Sequence, residues 1–152
     1  MDSYKKLNEY LNQPYVKNKN NRPTEKRNTR IVRTSKHSIG IKFHKTIIID
    51  YFDDGRIRLD TGGWKTCSTR ERMSYWQNEF SVYSMNHIMY LEFRKNRYLF
   101  EDNMILFPSG RVELNGELVK PMTPADEKKK LKLKEKSDKY CNNFIELFYS
   151  KV

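Results

Sequence analysis

The sequence predicts an α+β fold: an antiparallel β meander, rolled or closed into a small barrel, with a short helix after a Gly-Gly-Trp turn and a C-terminal helix. Three observations predict it. Short alternating or β-branched segments fill the middle of the chain, turn-forming residues separate them, and the C-terminal segment has helical periodicity. We therefore expect a basic, partly flexible N-terminal arm over 1–30, a β-rich core domain over 31–120, and an amphipathic helix over 121–152 that packs on the core.

The N-terminal arm begins with a weak helical pattern. Tyr4, Leu7, Tyr10 and Leu11 recur at the spacing of one helix face, which predicts a short amphipathic helix. The following run, 13–28, is rich in Asn and Lys and has few apolar side chains to bury. It is predicted to be extended.

The core domain begins with two predicted strands, and the second of them is expected to form a hairpin with the strand that follows. Ser38–His44 alternates with period two, and Thr46–Phe52 is β-branched and aromatic. Asp53-Asp54-Gly55 is a turn signal directly before a strand at Arg56–Leu59, so a hairpin is expected there. Four more short strands, linked by turn residues, complete the predicted meander: Ile88–Arg94, Arg97–Glu101, Met104–Phe107 and Arg111–Leu114.

The segment 61–76 holds both tryptophans and a glycine pair between strand and helix patterns. Gly62-Gly63 favours a tight turn, and Ser68 with Glu71 forms a capping box that would open a short helix. Such a basic junction can hold an anionic group at the helix N-terminus. It can equally be a structural corner that places Trp64 in the core. We favour the structural role.

The C-terminal helix has clear boundary signals. Thr123 is a suitable N-cap and Pro124 suits the first helical position. A lysine run follows, which should project into solvent, and then an apolar stripe that should pack on the sheet. The stripe comprises Tyr140, Cys141, Phe144, Ile145 and Phe148.

Charge is the main indication of partners. The chain has 30 Lys and Arg against 19 Asp and Glu, a net charge of +11, which favours nucleic acid, an acidic protein face or an anionic membrane. A lysine-rich proteome would produce the same composition without any such partner. Neither a signal peptide nor a membrane span is evident, so we expect a soluble intracellular protein with no membrane partner.

The sequence lacks a recognisable metal, cofactor or catalytic motif. Its 2 cysteines and 3 histidines have no zinc spacing, and Gly62-Gly63 lacks the other glycines of a phosphate-binding loop. Cys67 lies between basic residues that would favour a thiolate, but it has no evident base partner. The remaining candidates for acid–base or Mg²⁺ chemistry are His44, Asp50, Asp53, Asp54 and Asp60. We expect no cofactor.

Basic residues near aromatic ones form the stronger pattern. Charge can follow phosphates while rings stack on bases, which suits single-stranded nucleic acid. If the Arg56–Leu59 strand and the following helix are adjacent, their cations make one patch, with Trp64, Tyr75 or Trp76 at its edge. The predicted nucleic-acid-binding residues are Arg56, Arg58, Trp64, Lys65, Arg70, Arg72, Lys128, Lys129 and Lys130.

The segment from Asp60 to Met73, together with the hairpin before it, resembles a motif of small bacteriophage proteins. Those proteins have a strand, then Gly-Gly-Trp-Arg/Lys-Thr, a Thr/Ser pair, and a basic residue that opens a helix. The resemblance covers roughly residues 30–110 and is specific around Gly62–Arg72, whereas Cys67 and the lysine-rich C-terminal helix depart from it. It implies a phage or mobile-element origin and no particular chemistry.

Three functions follow as hypotheses. The first is a non-catalytic phage accessory protein whose basic surface binds nucleic acid or a nucleoprotein complex. The second is a protein-directed inhibitor of a host defence or transcription factor, whose target would have to be acidic. The third is a metal-dependent nuclease that uses the aspartates named above.

Overall fold

The computed structural model describes residues 3–75 and 77–123. Within them the chain forms two helices, α1 (Ser3–Leu11) and α2 (Cys67–Tyr75), and eleven strands. The strands are β1 (Asn21–Pro23), β2 (Thr29–Ser35), β3 (Ser38–Phe43), β4 (Thr46–Phe52), β5 (Ile57–Leu59), β6 (Phe80–Met85), β7 (Ile88–Phe93), β8 (Asn96–Leu99), β9 (Met104–Leu106), β10 (Val112–Leu114) and β11 (Glu117–Leu118). The protein is therefore an α+β protein built mainly of antiparallel sheet.

The strands form two sheets rather than the predicted single meander. The first has the order β1-β2-β3-β4-β5-β9-β10-β11, and the second has the order β6-β7-β8. The difference arises at β9, which pairs with β5 through Leu59↔Met104 and Ile57↔Leu106. Residues 60–103 are thus an insertion between two adjacent strands. The strand order of the eight-stranded sheet is that of an open sheet, with β1 and β11 at its edges. The strand pairing lends no support to a barrel, and the rolled or barrel shape stays a prediction.

Two connections hold the ends of the insertion together. The backbone N–H of Asn103 donates to the carbonyl of Leu59 at 2.8 Å. Asp102 Oδ1 accepts two hydrogen bonds from Thr61, from its N–H at 2.8 Å and its Oγ1 at 2.7 Å. Because Thr61 is buried, these bonds satisfy polar groups that water does not reach. They fix the point where the chain leaves the sheet.

One face of the eight-stranded sheet forms the core. Its central cross-strand row is continuous over β2, β3, β4, β5 and β9, because each member is the register partner of the next. Burial of each of these side chains contributes about 1.5–3 kcal/mol. All are buried: Ile31, Ile41, Ile49, Leu59 and Met104.

Helix α1 packs on this sheet as its spacing predicts. Leu11 is buried, and Tyr4, Leu7 and Tyr10 pack against the core cluster. In the following run, which the sequence predicts to be extended, Asn21–Pro23 pairs with β2. Arg22 also connects this strand to α1: its guanidinium lies 3.6 Å from the centre of the Tyr10 ring and donates to the Tyr10 carbonyl at 2.9 Å. A flexible part of the arm stays a prediction.

The predicted C-terminal helix lies outside the described residues from Pro124 onward. This includes its lysines Lys128, Lys129 and Lys130 and its apolar stripe. Trp76 also lies outside them. Among the helices that the structure describes, neither is long and apolar enough to cross a membrane.

Candidate functional site

The chain makes a sharp corner between β5 and α2. Asp60 Oδ1 accepts a hydrogen bond from the Gly62 N–H at 2.7 Å, and the Trp64 N–H donates to the Thr61 carbonyl at 3.0 Å. Both glycines have positive φ, 62° at Gly62 and 86° at Gly63, a conformation that other residues rarely adopt. The glycine pair therefore forms the tight turn that the sequence predicts.

Helix α2 is capped two residues earlier than the sequence predicts, at Thr66 rather than Ser68. Thr66 Oγ1 accepts a hydrogen bond from the Thr69 N–H at 3.3 Å, so Thr66 is the N-cap of a helix that begins at Cys67. The capping box of Ser68 and Glu71 is wrong because Ser68 is already inside the helix. Glu71 instead accepts hydrogen bonds from Lys26 at 3.3 Å and Arg72 at 3.1 Å.

Trp64 is not a core residue, although we favoured that role. Its side chain is 70% exposed. The buried residues of this segment are instead Thr61, Thr69 and Met73. An exposed tryptophan leaves a large apolar surface in water, which is unusual for this residue type.

A surface pocket of about 520 Å³ lies beside Trp64. The pocket is formed by the corner together with the end of β3 and the β3–β4 turn, which contribute Phe43, His44 and Lys45. The rings of Phe43 and His44 have centroids 4.4 Å apart and are tilted by 41°. The sequence indicates His44 only as a catalytic candidate and does not indicate Phe43 or Lys45, because no local pattern shows that this turn meets the corner.

Lys65 and Arg70 are brought together, as predicted. Both line a cavity of about 280 Å³ that also contains His87 and Glu101. Arg70 Nη1 donates to the Lys65 carbonyl at 3.3 Å, and the Lys65 side chain is exposed. These two cations and Trp64 thus belong to one corner of the molecule.

Arg72 has a structural environment instead. Residues two apart on a helix do not share a face, so Arg72 lies away from Arg70. Its Nε donates to Thr29 Oγ1 at 3.1 Å, and its guanidinium lies 5.3 Å from the centre of the Phe43 ring. These contacts tie α2 to β2 and β3.

Arg58, within β5, and Arg56, directly before it, also make contacts with neighbouring side chains. Arg56 Nε donates to Asp54 Oδ2 at 2.7 Å, which offsets its charge. Arg58 Nη1 donates to Asn103 Oδ1 at 2.8 Å and lies 3.8 Å from Asp60 Oδ2. The predicted patch therefore divides into separate environments, and a binding role for Arg56, Arg58 or Arg72 stays a prediction.

The aspartates considered for metal chemistry are dispersed among protein contacts. His37 Nδ1 lies 2.6 Å from Asp53 Oδ2, and Asp54 and Asp60 make the contacts described above. Asp50 Oδ1 accepts a hydrogen bond from Thr34 Oγ1 at 2.7 Å, and burial raises the pKa of Asp50. No group of three or more potential metal ligands occurs in 3–75 or 77–123.

The fold and this corner define a small, strongly basic α+β protein that presents a tryptophan and cations at a strand-to-helix junction. The family model of the Kyanoviridae Gp96 protein matches residues 5–111. The chain therefore belongs to that family, which is a phage protein family. This confirms the phage origin that the sequence motif implied. Neither a curated protein nor a solved structure matches the chain.

Proposed function

We propose that the protein is a non-catalytic phage accessory protein that binds nucleic acid or a nucleoprotein complex in the cytoplasm of the host cell. The observation that carries this proposal is the exposure of Trp64 beside exposed cations. Trp64 is 70% exposed, Lys65 follows it in the chain, and Lys45 lines the same pocket as Trp64. Exposed rings with adjacent cations are the combination that binds nucleic-acid strands.

The charge of the whole chain supports the same proposal. A net charge of +11 attracts a polyanion over a long range and accelerates its association. The corner supplies the local contacts that charge alone does not. Lys65 is exposed, so it can contact phosphate without first breaking a buried ion pair.

Fluorescence anisotropy with labelled DNA and RNA at stepped salt concentrations tests the proposal. Affinity should fall steeply as salt rises, because each neutralised phosphate releases counterions. Lys65→Ala should lower the slope of log K against log salt by about one. Lys95→Ala is the matched control, since Lys95 is an exposed lysine in the β7–β8 turn and should leave the slope unchanged. No binding at about 50 mM salt, where phosphate contacts are strong, would overturn the proposal.

The alternative is a protein-directed inhibitor of a host defence or transcription factor. Its target would have to present an acidic surface to this basic chain. Affinity capture from host lysate with and without nuclease distinguishes the two functions. A partner that survives nuclease treatment supports inhibition, and one that is lost supports nucleic-acid binding. The nuclease hypothesis gains no support from the geometry, because the described aspartates are held in separate protein contacts.

A further inference from the structure

We infer that the pocket beside Trp64 takes an unpaired base, so that the protein selects single-stranded over double-stranded nucleic acid. This inference rests on the proposed function and names its substrate class. The pocket lies where the β3–β4 turn meets the corner before α2 and has a volume of about 520 Å³. Its walls come from two segments of the chain that are adjacent only in the folded protein.

The walls of the pocket combine aromatic rings with hydroxyl groups. Phe43 and Trp64 line it, and the His44 ring lies 4.4 Å from that of Phe43. A base can stack on such rings whatever its identity, because every base has a π-face. Thr46 and Ser68 line the same pocket, and their hydroxyls can donate to or accept from the polar edge of a base.

The charge around the pocket suits a nucleotide. Lys45 lines it, and none of the described residues that line it is Asp or Glu. The pocket of about 680 Å³ beneath α1 is different, because two glutamates, Glu25 and Glu79, line it against one lysine, Lys6, and their net negative charge would repel phosphate. Of these two pockets, the one beside Trp64 therefore has the complementary charge.

Base insertion explains why the substrate should be single-stranded. In a duplex the base faces are stacked and the edges are paired, so insertion first requires a base to be unstacked and unpaired, which opposes binding. In a single strand most of this unfavourable step is absent. Phosphate contacts at Lys45 and Lys65 act on both forms, whereas stacking on Trp64 acts on the unpaired base alone.

Equilibrium anisotropy of the full chain with three labelled probes tests the inference. The probes are an oligothymidylate strand, an abasic strand with the same number of phosphates, and a blunt duplex. The wild type should bind the oligothymidylate about five- to 150-fold more tightly than the abasic strand, since stacking contributes about 1–3 kcal/mol per base. Trp64→Ala should remove that difference and leave duplex affinity within about twofold.

Control variants separate the ring from the fold. Trp64→Phe keeps a stacking face and should retain most of the preference for the oligothymidylate. Tyr15→Ala removes another exposed ring, 73% exposed, and should change nothing. Lys45→Ala should weaken the binding of all three probes alike, because it removes a phosphate contact. Lys36→Ala, at the opposite end of β3, removes another exposed lysine and should leave all three affinities unchanged. Far-ultraviolet circular dichroism melts check that each variant is folded.

The outcomes distinguish this inference from the proposed function. If the wild type binds all three probes equally with a steep salt slope, base insertion is overturned and nucleic-acid binding stands. If Trp64→Ala weakens strand and duplex binding equally, the ring contacts something other than an unpaired base, which also overturns the inference. If no probe binds, both proposals fail.

Discussion

The eight-stranded sheet and the strand-to-helix corner differ in the solvent exposure of their large apolar side chains. Leu59, at the end of β5, is fully buried between its register partners Ile49 and Met104. Trp64, five residues later in the chain, is 70% exposed. Packing in the core therefore explains the position of the Leu59 side chain, but it does not explain the position of the Trp64 side chain.

This difference leads us to expect that the corner is stable without its largest side chain. Thr61, Thr69 and Met73 are buried, Met73 belongs to the core cluster, and the Thr66 cap and the glycine turn define the start of α2. The loss in the free energy of unfolding should therefore be largest for substitutions in the sheet, smaller at the ends of the insertion, and smallest at the corner.

Leu59→Ala should have the largest effect. Leu59 is 0% exposed, and removal of its side chain leaves a cavity between β4 and β9, so the free energy of unfolding should fall by about 2–5 kcal/mol. Equilibrium urea denaturation measures this. A loss below about 1 kcal/mol would mean that truncation in the sheet is tolerated almost as well as substitution at the surface. The contrast between the sheet and the corner would then be wrong.

Asp102→Ala should have the next largest effect. It removes the acceptor of two hydrogen bonds from buried Thr61, so the free energy of unfolding should fall by about 1–3 kcal/mol. Asp102→Asn keeps a side-chain carbonyl in the same place and should recover most of the loss in the same urea experiment. Equal losses in the two variants would contradict this account of how the insertion is held.

Thr66→Ala should have a smaller effect that locates the helix start. Loss of an N-cap hydroxyl lowers the free energy of unfolding by about 0.5–2 kcal/mol. Ser68→Ala is the matched control, because Ser68 is exposed and lies inside the helix; alanine should be neutral or slightly favourable there. A larger loss at Ser68 than at Thr66 would restore the capping box predicted from sequence.

Asp50→Asn should have the smallest effect in the sheet and the opposite sign. Burial raises the pKa of Asp50 in the folded state, so its ionisation at neutral pH opposes folding. Asparagine avoids that penalty while keeping an acceptor for Thr34. The variant should be more stable than the wild type at pH 7, and its advantage should disappear as pH falls toward about 4, the ordinary Asp range. An advantage that is independent of pH would contradict the assigned cause.

Local patterns in the sequence predict most of the strands. β3 and β4 are predicted within a residue at each end, since alternation and β-branched residues mark them and turn residues separate them. β2 was missed because its arginines interrupt the apolar pattern, and β6 because its serines do. The pairing of β5 with β9 joins strands that are far apart in sequence, and no local turn signal can encode it.

The candidate site is less predictable for a related reason. The glycine turn and the pairing of Lys65 with Arg70 follow from short spacings, and the structure has both. The exposure of Trp64 depends on what else fills the corner, and the contribution of Phe43 and Lys45 depends on a tertiary contact. One signal was available: α2 has almost no apolar residue besides Met73 and Tyr75, so it offers little with which to cover a tryptophan.

Urea denaturation of Trp64→Ala, followed by circular dichroism, tests the central claim that Trp64 is presented for contact rather than for packing. Because its side chain is 70% exposed, the free energy of unfolding should stay within about 0.5 kcal/mol of the wild-type value, as for other surface substitutions. A fall of about 3–5 kcal/mol, the usual result of truncating a core tryptophan, would contradict the claim and return Trp64 to the core.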